Sequence, residues 1–182
     1  MPAIDSHPES PIDPEAARHL AMVTQDSMAL EFVPESLRAA ELCLASVQQN
    51  GWALRWVPEP LRTPELCLAA VHQTGWALIY VPQPLRTSEL CLAAVQQDGL
   101  ALQFVPEPLR TPELCQAAVT RDGWALSWVP ETLRTPQLCR VAATQNPQAL
   151  PYVPAHVLLA GLRSLATAGE SDQAQDLPAP AP

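Results

Sequence analysis

Residues 64–87 read PELCLAAVHQTGWALIYVPQPLRT. Thr63, Pro64 and Glu65 make a helix start: a hydroxyl cap, a proline at the first helical position, and an acid near the positive end of the helix dipole. The apolar run LCLAAV follows, and Gln73 and Thr74 lead to Gly75, read as a left-handed helix stop. This spacing predicts a first helix of about ten residues. WALIYV then places Trp76 and Tyr80 four residues apart, on one face of a second helix. Val81 precedes Pro82, which favours extended backbone, so the second and shorter helix ends there. PQPLRT closes the unit as a compact turn into the next cap. A mixed helix–strand unit is the competing reading. Asn50-Gly51 and Asp98-Gly99 suit hairpin turns, and WALRWV has some strand character. A leucine-rich repeat has a similar period, but its L-x-x-L-x-L spacing is missing from LRTPELCLAAV.

The same 24-residue pattern recurs at Ala40–Thr63, Pro64–Thr87, Ser88–Thr111 and Pro112–Thr135, with degraded copies at Ala16–Ala39 and Pro136–Leu159. One such unit cannot bury its own apolar face, so copies must stack. The expected fold is all-α: an α-solenoid of about six 24-residue two-helix repeats, closed by a C-terminal capping helix. PAHVLLAGLRSLATA, from Pro154 to Ala168, reads as that cap, with Val157, Leu158, Leu162 and Leu165 covering the last repeat. The expected division is a disordered Pro-rich N-terminus at 1–13, a solenoid at 14–168 and a disordered tail at 169–182.

The composition is that of one motif copied. The chain has 182 residues, 21 of them Pro, and its ten cationic side chains are all Arg. Twelve prolines fall in three repeat columns and mark element boundaries rather than disorder. A 48% hydrophobic content excludes full disorder, and no apolar run is long enough to span a membrane. MPAIDSHPESPID has no basic region followed by an apolar stretch, so no secretory signal is expected. The net charge of −9 argues against generic binding of nucleic acid. It is concentrated at one end: residues 1–39 hold seven acids against two Arg, and residues 40–135 nine against six.

Stacking turns equivalent residues into columns. The Ala column from Ala29 to Ala149, the Leu column from Leu30 to Leu150 and the Val-Pro pairs from Val33-Pro34 to Val153-Pro154 never change, as a core requires. The small pairs Ala69-Ala70, Ala93-Ala94 and Ala117-Ala118 allow close helix approach. Leu44, Leu68, Leu92, Gln116 and Arg140 share a column that tolerates polar residues, hence lies near the surface. All nine aromatics fall in two columns. Trp52, Trp76 and Trp124 share one, with Leu100 substituting; Phe32, Trp56, Tyr80, Phe104, Trp128 and Tyr152 fill the other. An aromatic platform for sugars, peptides or bases is one reading. The preferred one is a structural core spine, because Trp exchanges with Leu and Tyr with Phe.

Cys43, Cys67, Cys91, Cys115 and Cys139 form a column read as small buried core residues. One repeat step exceeds the reach of a disulfide, and no metal-binding spacing occurs. His72 lies five residues after Cys67, pointing away on a helix, so neither cofactor nor enzymatic activity is expected. Five unpaired thiols suit a reducing compartment, hence the cytoplasm. Arg38, Arg62, Arg86, Arg110 and Arg134 form the basic column. They suit either a grip on a partner's carboxylates or phosphates, or a ladder of pairs with Glu41, Glu65, Glu89 and Glu113 and with helix caps. A second acidic row, Glu35, Glu59, Gln83, Glu107 and Glu131, is read as solvated. The most variable column is Arg55, Ile79, Gln103 and Ser127, beside Gln48, His72, Gln96, Thr120 and Asn50, Thr74, Asp98, Asp122. A partner would be read there. The candidate partner-binding residues are therefore Arg55, Ile79, Gln103, Ser127, His72, Arg62, Arg86 and Arg110.

ELCLAAVQQNGWALRWVPEPLRT resembles the tandem bacterial repeats of domain-of-unknown-function family 4116. The likeness rests on Ala70-Val71, Gln49-Asn50-Gly51, Ala53-Leu54, Trp56 and Leu61, and covers residues 16–159. The Val-Pro-x-Pro turn and the absence of Lys depart from the family pattern. The resemblance implies helical repeats in a bacterial protein, with no established activity; some such proteins are host-directed effectors, so export stays open. The expected function is a non-catalytic scaffold or adaptor, a monomer binding a protein or peptide. The rival is an acidic inhibitor or immunity-type protein that blocks a basic partner by charge mimicry.

Overall fold

The Thr-Pro-Glu starts do nucleate helices. In the computed structural model, which describes residues 14–160, the α-helices are α1 (Pro14–Gln25), α2 (Ala40–Gln49), α3 (Pro64–Gln73), α4 (Ser88–Gln97), α5 (Pro112–Arg121) and α6 (Pro136–Gln145). Thr63 Oγ1 accepts from the Leu66 N–H at 3.3 Å, and Thr87, Thr111 and Thr135 repeat this cap on Leu90, Leu114 and Leu138. Ala39 stands at the cap of α2 and supplies no such bond.

The stop is not left-handed. No residue among those described has positive φ, and α3 ends because Thr74 turns extended at φ −149° and ψ 108°. Each α-helix then passes into a six-residue 3-10 helix: Ser27–Phe32, Gly51–Trp56, Gly75–Tyr80, Gly99–Phe104, Gly123–Trp128 and Pro147–Tyr152. This second segment is helical, as expected, and the hairpin alternative is not realised. The following Val-Pro ends it, since Val81 is extended (φ −75°, ψ 127°) and Pro82 has no N–H to continue the pattern. A shorter 3-10 turn such as Gln83–Leu85 follows. Arg86 then adopts φ −77° and ψ 74° while the Thr87 N–H bonds to Leu85 O at 2.9 Å, an inverse γ-turn.

Two compact units divide inside α4, one ending at Ala93 and the other starting at Ala94. In the first, α1, α2 and α3 pack in order as one layer, and the 3-10 helices pack in order as the other. The second repeats this with α5 and α6, and with the 3-10 helices from Gly99–Phe104 to Pro147–Tyr152. The core between layers is Leu, Val, Ala and Cys: Leu54, Leu78, Leu102 and Leu126 are wholly buried, as are Ala53, Ala77, Ala101 and Ala125. Leu150 departs from its column at 46% exposed. Cys43, Cys67, Cys91, Cys115 and Cys139 are buried as expected. Residues 155–160 begin the expected closing helix, with Val157 buried and Leu158 exposed rather than covering the core. Leu162, Leu165 and the expected disordered segments 1–13 and 169–182 lie outside the described residues.

The small-residue column does bring helices close. A Cβ on Gly123 would lie 2.5 Å from Ala142 O, and on Gly51 or Gly99 it would lie nearer still to Ala70 or Ala118 O. Glycine stands here because the next α-helix passes against its Cα. At the first copy Ser27 replaces it, and the Ser46 hydroxyl donates to the Ser27 carbonyl.

Candidate functional site

The 3-10 helix turns in three residues, and this decides which side chains face outward. Gly51, Leu54 and Val57 line up on the buried side, whereas Trp52 and Arg55 line up on the exposed side. Trp52 is 38% exposed, Ile79 45% and Trp128 40%, while Phe32 projects at 76%. Trp56, Trp76, Tyr80, Phe104, Trp124 and Tyr152 are half-buried. The core-spine reading is therefore corrected for Trp52 and Trp128, which are exposed, while Trp56, Trp76, Tyr80, Phe104 and Trp124 lie part-buried at the edge of the core. The space between layers is already filled by the invariant Ala, Leu and Val columns, and the rings lie over it as an outer face.

On that face the rings of successive repeats meet edge to face. In the first unit Trp52 and Tyr80 have centroids 6.2 Å apart at 71°. In the second, Trp124 and Tyr152 stand 5.6 Å apart at 82°. The variable column lies among them, since in a three-residue period it follows the first aromatic column by one turn. Arg55 rests its guanidinium carbon 4.8 Å above the Trp56 ring. Gln103 Nε2 donates to Leu100 O and Ser127 Oγ to Trp124 O, each folding back one turn. Trp56 Nε1 is a buried donor with no hydrogen-bond partner.

Other candidates lie elsewhere. The Arg column points into the backbone. Arg62 Nε donates to Val57 O at 3.0 Å and its Nη1 to Tyr80 O, 18 residues on, at 2.8 Å. Arg38 joins Val33 O to Trp56 O, Arg110 joins Val105 O to Trp128 O, and Arg134 joins Val129 O to Tyr152 O. Arg86 donates to Val81 O and Ile79 O. The ladder thus runs from Arg to carbonyl rather than from Arg to Glu. Glu65 and Glu113 instead turn to their own N–H groups and to the Thr63 and Thr111 hydroxyls, which hold both carboxyls below the usual range. Asn50, Asp98 and Asp122 are caps of the 3-10 helices, accepting from the Trp52, Leu100 and Trp124 N–H groups at 2.8–3.0 Å. This explains a column that looked free to vary. His72 sits exposed on α3, in the other layer from Arg55 and Ile79. Thr120 O accepts from Gln145 Nε2, and Arg121 donates to Gln97 O, so these tie neighbouring helices.

The buried thiols are poor nucleophiles. Burial pushes Cys67, Cys91 and Cys115 up to about 11, and raises Cys43 and Cys139 as well, against an opposing pull from the nearby Arg. Among the described residues no group of three His, Cys, Asp or Glu is placed to hold a metal ion. No helix there is long and apolar enough to cross a membrane.

Comparison with known families fits this two-layer repeat. The pattern of a domain of unknown function, DUF4116, matches residues 40–86 and again residues 87–134, just over half of the chain. The chain belongs to the DUF4116 family. Each DUF4116 match spans two of the 24-residue units, so the family's unit is a pair of them. No curated protein and no solved structure matches the chain. The family description carries no activity, so the aromatic face and the variable column are the features of this DUF4116 chain that bear on function.

Proposed function

We propose that the chain is a non-catalytic protein-interaction scaffold whose partner docks on the outer face of the 3-10 helices of either unit. One observation carries this: in the first unit the variable residues Arg55 and Ile79 are exposed beside the exposed Trp52, and in the second Gln103 and Ser127 stand half-buried beside the exposed Trp128. Exposed aromatics bordered by changing residues are what recognition of a protein surface needs. The suppressed thiols support a role without chemistry. They also fit a reducing compartment, which we take to be a bacterial cytoplasm. The acidic charge disfavours nucleic acid as partner. Charge mimicry of a basic partner is the weaker reading, because this face is aromatic and carries Arg55.

Affinity capture tests the proposal, comparing the wild-type chain with one in which Arg55→Ser, Ile79→Ser, Gln103→Ala and Ser127→Glu are combined. Matching far-UV circular dichroism establishes that both are folded. Loss of a captured partner from the variant alone supports the scaffold. A partner held equally by both, and released steeply by salt, would instead favour charge mimicry.

A further inference from the structure

We draw no further inference here: the strongest candidate, the cavity between α3 and the start of α4 lined by Pro64, Glu65, Leu68, Thr87, Glu89 and Leu90, rests on two acids at helix starts, and nothing in the structure shows what covers it.

Discussion

A methyl group on Gly123 would meet Ala142 O at 2.5 Å and Gln145 Cβ at 3.2 Å, both on the helix that follows. The φ at this glycine is not positive, so the backbone itself tolerates alanine and steric overlap alone decides the outcome. Gly→Ala at a permissive site stabilises by about 0.4–1 kcal/mol through the unfolded chain. Overpacking costs about 1–3 kcal/mol and wins here. Gly123→Ala should therefore lower the thermal midpoint by several degrees. Pro147→Ala, at the exposed equivalent position of α6's 3-10 helix, should change stability by less than about 1 kcal/mol. The thiols give a second expectation. Cys67, Cys91 and Cys115 titrate near 11 when folded and near 9.0 when exposed. Their neutral form is what the fold holds, so this stability is complete below pH 9 and is lost as pH rises through about 11. Denaturation midpoints measured between pH 8 and 11 should fall with pH, less steeply for Cys67→Ala.

At the scale of the element, the Arg ladder explains how a six-residue 3-10 helix survives beyond its usual length. Its last carbonyls have no continuation, because Val-Pro follows. Arg62 takes Val57 O of its own repeat and Tyr80 O of the next. Lysine carries all its donors on one nitrogen and lacks the planar fork by which Nε and Nη1 reach the two carbonyls separately. Arg62→Lys should cost about 1–3 kcal/mol, the penalty for a carbonyl left unsatisfied. Arg55→Lys, on the outer face, should be near neutral. Urea midpoints of the two variants make the comparison. The α-helices were legible because Thr-Pro-Glu and the apolar run are local signals. The Arg contacts were not, since a neighbouring Glu in sequence outweighed a carbonyl 18 residues away. The glycine column, read as a left-handed stop, was misread for a related reason: Gly51, Gly99 and Gly123 serve a close neighbour in space and not a left-handed helix end. Its replacement by Ser27 and Pro147 at the two ends of the array was the available signal.

For the whole molecule, the 24-residue period fixed repeat number and order, since each copy must hide the same face. The period inside the second helix was harder. Four-residue spacing of Trp76 and Tyr80 suggested one α-helical face, whereas the three-residue turn separates them and sets Trp76 in line with Ile79. The invariant Ala-Leu and Val columns already had the volume of a core, which was the clue that the rings belonged outside. Modularity can be tested inside the second unit by deleting residues 112–135. The deletion joins Thr111 to Pro136, restoring a Thr-Pro cap. Arg110, which now reaches Trp128 O, would meet Tyr152 O, the acceptor that Arg134 uses. Gly99 would face Ala142 O in place of Ala118 O, as Gly123 does. Each broken contact is replaced by its equivalent, and nearest-neighbour stacking requires nothing more. The shortened chain should fold, with helical circular dichroism and a cooperative transition at a lower midpoint. Deleting 112–123 removes α5 alone, joins Thr111 to Trp124 and leaves the rest of the Gly123–Trp128 3-10 helix with no α-helix before it. That chain should not fold cooperatively, and equal behaviour of the two deletions would show that the repeats do not stack as whole 24-residue units.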